Sequence, residues 1–223
     1  MMRLFLLCLL CCCIPALLPA QRAAYKPLRN ELALQLGSVE SQPAYATAYR
    51  SGLPATALPL PGLRYTFALS QNDHLRLGAQ YRRSAFADSG FYAATIGQSA
   101  RLRLDYARQR YQGVQRLGWS GGLVADRGSV RVDPREPQPD MGGFATTGIG
   151  LATAIEYTRY LGPRFFLTFE LGGWWQRHFY DRTGPADLPA YVQPSQTWGI
   201  AAALYLGTQF GPRAPQTCKC PGH

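Results

Sequence analysis

The chain has 223 residues and a formal net charge of +10, nearly all of it arginine, since Lys26 and Lys219 are its only lysines. The arginines are scattered singly and not gathered in a run, which favours ion pairs and lipid head-group contacts over a nucleic-acid-binding face. About 200 residues beyond the N-terminal segment suit a single all-β domain.

The N-terminus reads MMRLFLLCLLCCCIPALLPAQ: Arg3, an apolar run, Pro15, then Leu18-Pro19-Ala20 before Gln21. That is the layout of a secretory signal, with cleavage expected after Ala20. Pro15 and Pro19 leave the run short of the ~20 apolar residues of a spanning helix. None of Cys8, Cys11, Cys12 or Cys13 follows a small residue, so a lipoprotein signal is set aside. Only Cys218 and Cys220 stay in the mature chain, which excludes a disulfide-stapled framework.

Residues 21–28 read as a leader. The spacing then predicts a first strand over Asn30–Ser38, where Leu32, Leu34 and Leu36 alternate with Glu31, Ala33 and Gln35. Val39–Pro61 reads as a long loop, Gly62–Ser70 as a second strand, and Gln71–His74 as a tight polar turn in which His74 is an ordinary turn residue. Leu75–Arg83 and Gly97–Arg108 follow as strands around a loop at Ser84–Ile96. The fourth strand alternates most sharply, as Arg101-Leu102-Arg103-Leu104-Asp105-Tyr106. A short connection at Gln109–Gln115 leads to a fifth strand, Arg116–Asp126, and a third loop, Arg127–Ala145.

Thr147–His178 is a hairpin hinged on Leu161-Gly162-Pro163-Arg164, because Pro presets φ and cannot extend a central strand. Ile149, Leu151, Ile155 and Tyr157 share one face of it with Phe165, Leu167, Phe169, Leu171 and Trp175; Gly148, Gly150, Ala154, Glu156, Glu170 and Gly172 oppose them. Phe179–Pro194 is a fourth loop, Gln196–Phe210 the eighth strand, and residues 211–223 a flexible tail.

Eight strands whose connections alternate long and short place all long loops at one end and both termini at the other. That is the up-and-down pattern of a transmembrane barrel in an outer membrane. A soluble lipocalin-like binder has the same alternation with the faces inverted. Three features favour lipid outside. The charged face is also the glycine face, as a narrow lumen requires. Aromatic residues near strand ends, Tyr157, Tyr160, Phe165, Trp174, Trp175 and Trp198, suit a membrane interface. The eighth strand closes on Phe210, which resembles the terminal aromatic signal read by barrel-assembly machinery.

On these grounds residues 29–210 resemble the small eight-stranded outer-membrane barrels of the OmpA-membrane-domain, OmpX and OmpW kind. The Ala20-Gln21 junction and the Tyr160-Leu161-Gly162-Pro163-Arg164-Phe165-Phe166 turn are similar to outer-membrane β-barrel proteins of the Bacteroidota. The resemblance implies an integral outer-membrane location with both termini in the periplasm, but no reaction. The partners expected are outer-membrane lipid and lipopolysaccharide, the barrel-assembly machinery and an outer-membrane protein partner; no nucleic acid and no cofactor is expected.

The candidate site is a lumen charge network: Arg64, Arg76, Arg101 and Arg103 facing Glu31, Asp105, Glu156 and Glu170. Charges buried without partners would each cost several kcal/mol, so they are expected to pair, as a plug or as the gate of a narrow channel. A lipid A deacylase-like enzyme is a further alternative and requires a Ser and a His on the lipid-facing side. Of His74, His178 and His223 only His178 could serve as base, and Phe179-Tyr180-Asp181 follows it where that family has His-x-Ser-Asn. Absence of that stretch argues for no catalysis. Cys218, Cys220 and His223 are too few ligands for a closed metal site. The outer loops, with Tyr45, Tyr49, Phe86, Phe91, Tyr92, Tyr180 and Tyr191, are where binding would sit.

Overall fold

Alternation alone fixes most of the architecture, and a computed structural model describes residues 28–41, 62–87, 92–134, 143–181 and 196–214. They form β1 (Leu28–Ser41), β2 (Gly62–Ala68), β3 (Asp73–Ala87), β4 (Tyr92–Gln112), β5 (Gln115–Pro134), β6 (Gly143–Tyr160), β7 (Phe165–Tyr180) and β8 (Gln196–Arg213). Each strand pairs antiparallel with its sequence neighbours, and β1 pairs with β8, closing an all-β, eight-stranded up-and-down barrel. The N-terminal segment and most of the long connections, with Tyr45, Tyr49, Phe91 and Tyr191, lie outside the described residues, as do Cys218, Cys220 and His223.

The register sets the barrel's width. Pairing followed from Asn30 through Phe67, Leu75, Tyr106, Gly121, Thr153, Gly173 and Ile200 returns to β1 at Ser41. Allowing for the irregularity between Gln35 and Gly37, that is a shear of about ten, which tilts the strands by roughly 40° and leaves little more than side-chain room inside. Glycine is required where strands crowd. A Cβ on Gly150 would overlap the Trp175 carbonyl, and one on Gly122 would lie 2.6 Å from the Asp105 Cα.

Several strands outrun their expected ends. β4 reaches Gln112 and β5 reaches Pro134, so the expected connection at Gln109–Gln115 shrinks to Gly113-Val114, with Gly113 at φ +60°. The third loop likewise loses Arg127–Pro134 to β5. Backbone pairing needs no apolar side chain, so a ladder continues past the greasy band. β2 is shorter than expected, because Leu69 and Ser70 turn to donate their amides to the Asp73 carbonyl at 2.9 and 3.0 Å. β8 runs to Arg213 and takes in the first residues of the expected tail.

The faces are those of a barrel with its grease outside. Leu77, Leu104 and Leu123, paired side by side on β3, β4 and β5, are 54%, 46% and 57% exposed. Glu31, Arg64, Arg76, Arg101, Asp105, Glu156 and Glu170 are all buried within. The inverted alternative, greasy inside and polar outside, is excluded.

Candidate functional site

The lumen is filled in layers, each set by which even or odd positions of a strand point inward. At the end of the short turns, Arg116 at the start of β5 forms a two-pronged pair with Glu31 of β1. Its Nη1 donates to Glu31 Oε1 at 2.5 Å and its Nη2 to Oε2 at 3.1 Å. The Tyr160 hydroxyl accepts from Arg116 Nη1 at 2.9 Å and donates to Glu31 Oε1 at 3.2 Å. The rings of Tyr111, Tyr160 and Phe166 surround the guanidinium, with centroids 5.8, 5.6 and 5.7 Å from its Cζ, within cation–π range. Thr158, Thr168, His74 and Gln209 complete this layer, all buried.

The second layer holds most of the expected network. Arg76 of β3 donates to Glu156 of β6. Arg64 of β2 donates to Glu170 of β7 at 2.9 Å and stands 3.9 Å from Glu156. Arg103 of β4 bridges Glu170 at 2.5 Å and Asp105 at 2.6 Å, and reaches the Ser120 hydroxyl at 3.2 Å. A cavity of about 80 Å³ lies against this layer, lined by Arg64, Arg76, Arg103, Asp105 and Glu170 together with Arg101 and Trp174. It has room for a few waters.

The third layer faces the long connections. Arg101 donates to Gln176 Oε1 at 3.0 Å, lies 3.9 Å from Asp126, and stacks over Trp174 at 4.7 Å. Above it His178 turns inward, its Nε2 2.6 Å from the Thr197 hydroxyl and its Nδ1 3.4 Å from that of Thr146. The one histidine that the enzyme alternative could use as a base, which that alternative requires on the lipid side, is therefore held in the lumen. Among the described residues no group of three His, Cys, Asp or Glu could hold a metal.

All eight residues of the expected network face the lumen, but they do not make one cluster. Glu31 stands apart from the other seven with Arg116, which sequence reasoning missed, and Arg101 is joined by Asp126. Five guanidiniums thus face five carboxylates among the described residues. Both additions were legible: Arg116 and Asp126 share the parity of Gly118, Ser120 and Gly122, so a strand carried to its ends points them inward.

The expected interface aromatics divide. Phe165, Trp175, Trp198 and Phe210 are exposed on the outer face and Tyr157 is half-exposed there. Tyr160, expected among them, is 4% exposed and points into the lumen, and Trp174 is buried over Arg101. Both share the parity of Glu156 and Glu170, and in each case position in the strand outweighs an aromatic's preference for the interface. His74, expected in a turn, is likewise a buried residue of β3.

No protein-family model matches the sequence, and no curated protein does. Among solved structures, a major outer membrane protein from Thermus thermophilus is similar at 14% identity and a TM-score of 0.53, over 81% of this chain and 99% of that one. Ail, the attachment invasion locus protein of Yersinia pestis, matches at 11% identity and a TM-score of 0.48, over 82% and 99%. The N-terminal β-barrel domain of Pseudomonas aeruginosa OprF matches at 14% identity and a TM-score of 0.37, over 81% and 98%. The likeness to the Thermus thermophilus protein shows a shared barrel fold.

Proposed function

We propose that the chain is an integral outer-membrane barrel, closed through its middle, that works as a rigid frame for the long connections at one end. Its role on this reading is structural or surface-binding, and not enzymatic. The observation that carries it is the division of faces: a continuous apolar exterior around a lumen of paired, buried charge. Such an exterior is tolerated in lipid and is an aggregation hazard in water. Both ends of the sheet, β1's start and β8's finish, lie with the short turns, which on this reading face the periplasm. The long connections then project outward, where they meet lipopolysaccharide and any protein partner.

Planar-bilayer recording tests the closed frame against the narrow channel. The wild-type protein is expected to be electrically silent. Arg101→Ala and Glu170→Ala are expected to stay silent as well, because each disturbs one layer and leaves the Arg116–Glu31 layer sealing the turn end. Steady unitary currents from the wild type would overturn the closed frame and favour the channel.

A further inference from the structure

Charge on the outside of the barrel is not shared evenly between its ends. Among the carboxylates whose side chains are described, Glu31, Asp105, Asp126, Glu156 and Glu170 are buried in the lumen, and Asp181 lies at the end of the long connections. Asp73 is then the only one outside at the turn end. Against it stand Arg108, Arg110, Arg164 and Arg213, all exposed. Arg108 and Arg110 alternate with the buried Ala107 and Gln109, which fixes them on the outer face. Arg108 is 65% exposed and only 3.9 Å from Asp73, whose oxygens already accept from Tyr106 at 2.5 Å and Ser70 at 2.7 Å. No described carboxylate faces Arg110, Arg164 or Arg213.

These arginines border the apolar band. Between band and rim lie Tyr106 and Trp119, edge to face at 5.9 Å, with Phe165 and Phe210 further round the wall. The order from mid-barrel outward is therefore aliphatic, aromatic, guanidinium, which is the order of depth in a bilayer leaflet. A guanidinium forks onto phosphate oxygens, and a basic side chain beside an anionic leaflet is held there electrostatically. The four fall into two regions of the circumference: the end of β4, and, across β5 and β6 from it, the β6–β7 turn with the neighbouring end of β8, where the Gln209 amide donates to the Arg164 carbonyl at 2.8 Å. That spacing suits several single head groups better than one ligand with clustered phosphates.

We propose that this rim binds the phosphate head groups of acidic phospholipids in the leaflet reached by the short turns; the inference rests on the membrane-spanning reading above. Its test is urea unfolding of the full chain, followed by tryptophan fluorescence, in phosphatidylcholine vesicles with and without phosphatidylglycerol. At low salt the acidic vesicles are expected to move the midpoint to higher urea, by roughly five-fold in the folding equilibrium per arginine engaged. High salt should shrink the difference. The variant combining Arg108→Gln, Arg110→Gln, Arg164→Gln and Arg213→Gln should lose it. The corresponding four-lysine variant should keep part of it. Equal midpoints for the wild type in the two vesicles would overturn the proposal, as would a glutamine variant that keeps the full difference. A chain that folds into neither vesicle would overturn the membrane-spanning reading itself, an outcome distinct from equal midpoints.

Discussion

Glu156→Ala is expected to destabilise the folded barrel by about 3–5 kcal/mol, the cost of stranding a buried charge. Glu156 is the only described carboxylate that pairs with Arg76, and it also faces Arg64 at 3.9 Å and accepts from Gln109 at 3.4 Å. Removing it leaves Arg64 its bond to Glu170 but takes from Arg76 its ion pair, leaving only the more distant charges of Asp105, its cross-strand neighbour, and Glu31. Both arginines are buried, and only the small cavity beside them could bring water into the lost partner's place. Replacing both members of the pair by apolar residues of similar volume, as in Arg76→Met with Glu156→Leu, should recover most of the loss, because the desolvation penalty goes with them. Unfolding in vesicles, single variants against the double, gives the coupling directly. A loss under ~1 kcal/mol for Glu156→Ala would mean that the pair is solvated, as in exposed ion pairs, and that the lumen is wet.

Leu104→Arg tests the other face and is expected to cost about 2–4 kcal/mol, the penalty for a cation on the lipid side of a barrel near mid-membrane. Leu104 lies between Leu77 and Leu123 in a rung that runs on through Leu151 to Trp175 and Trp198. It is half-exposed and has no buried neighbour of opposite charge on its own face. An arginine there must desolvate its head group or bend far along the wall to reach water. The same substitution at Leu117, the cross-strand partner of exposed Arg110, should cost much less, because that level borders water. In a soluble barrel with a wet exterior Leu104→Arg would cost nothing or would raise solubility, so the sign of the effect separates the two situations.

The sequence made the faces legible and the ends of the strands much less so. A strand has a period of two, and inward positions such as Arg101, Arg103 and Asp105 against outward Leu102, Leu104 and Tyr106 can be read without knowing the fold. Closure follows from the count of strands and the alternation of connection lengths. The extent of a strand is a different matter. Arg127, Gly128 and Ser129 resemble a loop by composition, yet they continue the β5 ladder opposite Ala100, Ser99 and Gln98, because backbone groups pair whatever the side chains are.

Arg116 and Asp126 are the two end residues of the expected fifth strand and share its inward parity, but at a strand end an inward charge is hard to tell from one at the rim. Tyr160 and Trp174 failed in another way. Residue type suggested an interface while parity gave the lumen, and a ring that stacks on a buried guanidinium is as well placed inside as at a membrane surface. What no alternation pattern could give is which charge meets which. Arg116 and Glu31 are 85 positions apart and Arg64 and Glu170 are 106 apart, so their meeting depends on shear, which the sequence does not print.

The most direct test of a detergent-stable membrane barrel is heat-modifiability on a gel, with protein refolded into detergent micelles. The account predicts a folded band that migrates apart from the boiled one, together with β-type circular dichroism. A chain that stays soluble and monomeric without detergent, with no such band, would contradict it.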